Sequence, residues 1–158
     1  MPKPVLDPLR LIASAHRALD IQARALEQLA AEFAADSQSP ISEALIKACE
    51  RIFACEGKLI VTGIGKSGHV GNKIAATLAS TGTPAFFLHP AEASHGDLGM
   101  VTGEDVVLAL SNSGQTEEIL RILPLLRRRG TGLIAMTGDA QSTLAQQADV
   151  HLLVRVER

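Results

Sequence analysis

Two short segments of this chain combine small residues, hydroxyls and charges where a helix is about to begin. Gly63-Ile64-Gly65-Lys66-Ser67-Gly68-His69 follows the apolar run Lys58 to Thr62, and Ser111-Asn112-Ser113-Gly114-Gln115-Thr116 follows Asp105 to Leu110. Each reads as a strand turning into a helix, which leaves backbone N–H groups without intrahelical partners and aims the positive helix end at one point. An anion is stabilised there. Two such loops in one small domain predict a phosphorylated ligand. Lys66 in the first loop, with Glu117 and Glu118 just after the second, sets titratable groups beside the anchor, so chemistry is expected as well as binding.

Other readings of the first loop fare worse. Gly63, Gly65 and Gly68 match G-x-G-x-x-G, but a dinucleotide site also wants an acid at the end of the second strand. That strand ends Leu88-His89-Pro90, and Glu92, the nearest acid, comes later than the usual spacing. Gly65-Lys66-Ser67 imitates the end of a Walker A loop, yet Ile60 stands where the first glycine would have to be. The segment His89 to Met100 (HPAEASHGDLGM) gathers His89, Glu92, His95 and Asp97 in one polar loop, a weak metal-site signal. His69 falls in a first helical turn as either a capping residue or a ligand contact, and His151 opens the last strand as a structural residue. Arg127, Arg128 and Arg129 complement the negative end of the helix they close.

The elements that must hold these residues follow from the hydrophobic pattern. Asp7 to Ala35 contains no glycine and no proline after Pro8, and reads as one long helix. Leu9, Ile12, His16, Leu19, Ala23, Leu26, Ala30 and Phe33 recur at spacings of three and four, a seam for packing on the chain's own sheet or for self-association. His16 is a packed or rim histidine of that seam. Ser39-Pro40 is a helix start, and the second helix is expected to end near Glu56. The pattern then becomes strand, loop, helix: strands at 59–62, 84–88, 106–110, 132–136 and 151–154, with helices over 70–80 and about 116–129. Continuous apolar strands alternating with helices predict a parallel sheet covered on both faces. In such a sheet the ligand lies beyond the strand C-termini. Both anion loops and the segment 89–99 leave strand C-termini, so the three are expected to converge.

Composition excludes several classes of function. With 158 residues, 46% of them hydrophobic, the chain supports one domain with a substantial core. A net charge of -2, four Phe and no Trp or Tyr leave neither a basic stripe nor a stacking surface for nucleic acid. No apolar run approaches the ~20 residues needed to span a bilayer, and no signal-peptide pattern opens the chain, so a cytoplasmic protein is expected. Cys49 and Cys55, six apart in the second predicted helix, do not share a face and read as small hydrophobes in a reducing compartment.

The residues also carry a family resemblance. GIGKSGHVGNKIAATLASTGTPAFFLHPAEASHGDLGM (Gly63 to Met100), SNSG (Ser111 to Gly114) and the tail ADVHLLVRVER resemble the sugar isomerase (SIS) domain of D-arabinose 5-phosphate isomerases, over nearly the whole chain from about Leu45. GKSGH together with HGDLGM is not shared by SIS transcriptional regulators or glucosamine-6-phosphate synthases. The resemblance implies a three-layer α/β/α sandwich with a five-stranded parallel sheet, flavodoxin-like, over residues 37–158; the N-terminal helix over 1–36 is expected to serve oligomerisation because its seam from Leu9 to Phe33 is longer than one short packing face requires. It implies interconversion of D-ribulose 5-phosphate and D-arabinose 5-phosphate through an enediolate, for the Kdo of lipopolysaccharide, by a homotetramer. Carried over by motif, Ser67, Ser111, Ser113 and Thr116, with Gly65, Gly68, Asn112 and Gln115 of the same loops, bind the pentose 5-phosphate. Lys66, His95 and Glu118 fall on positions implicated in catalysis, and neither a cofactor nor a metal is implied.

Elementary chemistry agrees with that assignment. Aldose–ketose isomerisation removes a proton next to a carbonyl, carries it between C1 and C2, and stabilises the enediolate in between. A carboxylate or imidazole shuttles the proton, and a lysine ammonium stabilises the oxyanion. Whether Glu118 or His95 is the base stays open. Family members continue beyond the position of Arg158 with a glutamate, a Cys-Pro turn, a histidine-bearing helical segment and usually a pair of CBS modules, so a fragment of a longer isomerase is expected. The alternative is a non-catalytic sugar-phosphate-binding module.

Overall fold

The computed structural model describes residues 6–35, 39–94 and 96–155. Two compact units divide the chain, one centred on the first helix and one running from Glu43 to Arg155. The first contains α1 (Pro8–Ala35), started by Asp7, whose carboxylate accepts from the Leu9 and Arg10 N–H groups. Leu9, Ile12, Leu19 and Leu26 of α1 are all at least two-thirds exposed.

The second unit is built on β1 (Leu59–Gly63), β2 (Ala85–Phe87), β3 (Val106–Leu110), β4 (Gly132–Thr137) and β5 (Val150–Leu153), all parallel, in the order β2-β1-β3-β4-β5. β1 and β3 are buried at every position, which is why both read as unbroken apolar runs. Alternate residues serve opposite faces. Leu59, Val61, Leu108 and Leu110 pack with Ala48 of α2 (Pro40–Phe53) and Ala75 of α3 (Gly65–Ser80). Ile60, Val107 and Ala109 pack with Ile119, Ile122 and Leu123 of α5 (Glu117–Arg129). α4 (Pro90–Ser94), a single 3-10 turn at Asp97–Met100 and α6 (Thr143–Gln147) complete the described elements.

Several boundaries differ from the sequence reading. α2 ends at Phe53, so Cys55 leaves the helix and its thiol donates to the Glu104 carbonyl. His89 to Met100 is not one polar loop but α4 and the 3-10 turn, because Ala93 and Leu98 bury themselves in the core. α3 begins five residues before Val70, since Gly65 and Gly68 weaken a propensity-based reading of a helix whose start is set by packing.

At the end of the sheet opposite the anion loops, buried Asp105 ties two connections together. Its carboxylate accepts from the N–H groups of Lys58 and Thr102, each at 2.8 Å, and lies 3.4 Å from Lys58 Nζ. Burial alone would raise its pKa; the two N–H donors and the Lys58 ammonium outweigh this and hold it below 3.8. Asp149, bonded to the Leu133 N–H and paired with Arg127 and Arg51, is lowered against its own burial in the same manner. Both carboxyls therefore bind protons more weakly folded than unfolded. Their contribution to stability is complete above the ordinary carboxylate pKa and is lost as pH falls through it towards the folded values. Asp105→Ala leaves two part-buried N–H donors unpaired and is expected to destabilise the fold by about 2 kcal/mol. Thermal unfolding from pH 7 to pH 3 checks both points: the variant should melt lower at pH 7 and lose less stability on acidification.

Candidate active site

The switch point of the sheet lies between β1 and β3. The chain leaves β1 towards β2 on one side and β3 towards β4 on the other, with Gly63 paired to Leu110 at the C-terminal ends. α3 and α5 contribute to the core clusters of opposite sheet faces, so their N-termini flank the crevice where ligands bind in doubly wound sheets.

The first turn is tight. A Cβ on Gly68 would stand 2.8 Å from the Gly63 carbonyl, and one on Gly63 would stand 3.0 Å from the Ser67 backbone, so strand and helix close up only with glycine at both. Lys66, Ser67 and Gly68 consequently lie in the first turn of α3, and His69 falls in the next turn. Ile64 occupies the N-cap and offers no side-chain cap, so the helix start keeps donors available for an anion. Lys66 is exposed and has no ion-pair partner among the described residues. The buried Thr62 hydroxyl donates to the Leu88 carbonyl at 2.7 Å, fastening the end of β2 to β1 and placing His89 on the same rim.

The second loop is closed by its own hydroxyls. Ser111 Oγ accepts from the Gly114 N–H at 3.0 Å and lies 2.7 Å from Thr116 Oγ1. Thr116 is the N-cap of α5, but its hydroxyl pairs with Ser111 instead of capping, and this helix start too is left open. Ser113 Oγ accepts from the Gln115 N–H and, like Asn112 and Gln115, is exposed at the loop surface. The two glutamates now separate. Glu117 pairs with Arg121 at 2.6 Å, whereas Glu118 is exposed and has no ion-pair partner among the described residues.

In the third segment, His89 is half-buried, with Nδ1 accepting from the Ala91 N–H and its ring edge-on to Phe87 at 6.5 Å. Nε2 is thereby the protonated nitrogen of the neutral ring. Glu92 and Asp97 are exposed, and His95 lies outside the described residues. Among the described residues no three His, Cys, Asp or Glu side chains are grouped to hold a metal ion. The loop between β4 and α6 was not singled out from sequence, although Ser142 two residues before Leu144 is a helix-start signal. Ser142 caps α6 and contacts the second anion loop.

A 2-1-3-4-5 parallel sheet with two uncapped helix starts at its switch point defines a doubly wound α/β domain. The SIS domain profile matches residues 52–158, and the chain belongs to the SIS domain family. It is 55% identical over 144 residues to the arabinose 5-phosphate isomerase KdsD of Pseudomonas aeruginosa, covering 91% of this chain and 42% of that protein. It is 52% identical over 141 residues to KdsD of Escherichia coli K12, covering 88% and 43%. The chain thus spans about two-fifths of the length of these curated relatives. Among solved structures, an Escherichia coli CFT073 protein in complex with arabinose 5-phosphate superposes with a TM-score of 0.85 at 40% identity, covering 96% of this chain and 77% of that one.

Proposed function

We propose that this chain is the isomerase core of an arabinose 5-phosphate isomerase, interconverting D-ribulose 5-phosphate and D-arabinose 5-phosphate and supplying Kdo for lipopolysaccharide in the cytoplasm. The observation that carries the reading is the crevice itself: two open helix starts on neighbouring strands, with Lys66 and Glu118, neither ion-paired among the described residues, in the first turn of each helix. The identity to the two KdsD proteins and the arabinose 5-phosphate complex of the Escherichia coli CFT073 protein supply the substrate class.

In this reading the loops that carry Gly65, Ser67, Gly68, Ser111, Asn112, Ser113, Gln115 and Thr116 hold the phosphate, Ser111 by orienting the Thr116 hydroxyl, since its own N–H donates to the Met136 carbonyl. If Ser111 donates to Thr116, the Thr116 hydroxyl proton is free for a phosphate oxygen, and the Ser113 hydroxyl has its proton free as well. Lys66 stabilises the enediolate, and Glu118 or His95 moves the proton between C1 and C2. Incubating the chain with D-arabinose 5-phosphate and following ribulose 5-phosphate tests the proposal. Binding without turnover in that assay would favour a sugar-phosphate-binding module.

Charge-assisted hydrogen bonds contribute roughly 1.5–3 kcal/mol, so Ser113→Ala should weaken binding of D-arabinose 5-phosphate about tenfold or more by calorimetry. The exposed apolar positions of α1 serve a homotetramer in this reading, and Ile12→Glu with Leu19→Glu should lower the mass seen in sedimentation. A mass unchanged by both charges would remove α1 from the interface. Among the described residues no helix is long and apolar enough to cross a membrane.

A further inference from the structure

The geometry points to Ser142 as a positioning residue for the phosphate loop 111–116, acting through the β4–α6 connection; the role rests on the phosphate-binding reading above. Ser142 is fully buried and lies against Gly114, whose φ of +61° turns the loop. A Cβ on Gly114 would run into the Ser142 side chain, so the two are fitted against each other without slack. Backbone bonds grip the loop on both sides of Ser113: the Gly138 N–H donates to the Asn112 carbonyl at 2.9 Å, and the Leu144 N–H donates to the Gly114 carbonyl at 3.1 Å. Ser113 is therefore presented between two clamped peptide groups.

The clamp has its own foundation. Ser142 Oγ donates to the Asp139 carbonyl at 2.7 Å and accepts from the Ala145 N–H, locking the connection to the start of α6. The same Asp139 carbonyl accepts from Thr137 Oγ1 at 2.9 Å. That hydroxyl's single proton is thus engaged, and His151 Nε2, 2.8 Å away, must donate to it. Burial holds the His151 pKa below 6.5 against the opposing charge of Asp139, consistent with a neutral ring that donates through Nε2. The order of support runs from the edge strand β5 through Thr137 and Asp139 to Ser142, and from there to the loop. Ser142 touches no reacting group in this arrangement; it sets where the phosphate donors point.

Loss of the hydroxyl should let the connection relax and blur the donor geometry, where misplacements of about 1 Å carry large penalties. Calorimetry of the chain with inorganic phosphate and with D-arabinose 5-phosphate tests this. Ser142→Ala is expected to raise Kd for both about tenfold, by the same factor, because the clamp acts on the phosphate alone. Gly138→Ala, whose Cβ would meet Asn112 Oδ1 at 2.9 Å, attacks the other grip and should raise both Kd values similarly. Each variant is assayed at a temperature where its circular dichroism is native, and a purely structural role would lower the melting temperature while leaving both Kd values within twofold of wild type. That result in the two variants overturns the inference. Wild type that binds inorganic phosphate but not D-arabinose 5-phosphate overturns the isomerase reading and leaves the positioning role to be judged on phosphate; wild type that binds neither overturns both.

Discussion

Glu118→Gln is expected to lower the interconversion of D-arabinose 5-phosphate and D-ribulose 5-phosphate by about 10²- to 10⁴-fold, the usual contribution of one positioned acid or base. The amide keeps the size and hydrogen-bonding reach of the side chain but cannot take a proton, so Kd for the pentose phosphate should move little. The neighbouring carboxylate supplies the control. Glu117 is held by Arg121 on the exposed side of α5, and Glu117→Gln should leave turnover within about twofold, since an exposed i,i+4 pair contributes only a few tenths of a kcal/mol. Turnover and calorimetric Kd for both variants decide the matter. A full rate in Glu118→Gln would transfer the proton shuttle to His95.

Lys66→Met is expected to lower turnover by about 10²- to 10³-fold, the range measured when one preorganised stabiliser of a developing oxyanion is removed. Methionine keeps the aliphatic stem and removes the charge, so the first turn of α3, whose course is set by Gly63 and Gly68, should be unaltered. Because Lys66 is exposed and has no ion-pair partner among the described residues, its removal leaves no described carboxylate orphaned, and the melting temperature should stay within about 2 °C of wild type. Lys66→Arg discriminates further. A planar guanidinium retains the charge but shifts its position, so partial recovery is expected if charge is the main contribution. Equal loss in both variants would mean that the position of the ammonium dominates.

Much of the site was legible because its determinants are local. Glycines at 63, 65 and 68 and hydroxyls at 111, 113 and 116 each follow an apolar strand, and a strand entering a helix through small residues has a fixed consequence for the backbone N–H groups. The two buried strands behind them were equally plain, since a strand covered on both faces must be apolar at every position. Where determinants are distant the reading fell short. The glutamates 117 and 118 are indistinguishable in sequence, and only the Arg121 pairing separates them. Residues 89–100 read as a polar loop because four of their side chains are ionisable, while the helical turns are decided by Ala93 and Leu98 reaching the core. The metal-like spacing of His89, Glu92, His95 and Asp97 gathers no such group among the described residues, and His95 lies outside them.

By itself the sequence determined the strand–helix alternation, the parallel sheet and the two strand-to-helix loops, because hydrophobic period, glycine placement and hydroxyl spacing act within a few residues. Tertiary structure alone decided that β1 and β3 are neighbours, which turns two separate loops into one crevice. It also decided that residues 138–144, some 25 positions beyond the second loop, grip that loop from behind. Both depend on strand order and on contacts between chain segments far apart. Those are set by how α3 and α5 share the two faces of one sheet, and no local pattern encodes such a division.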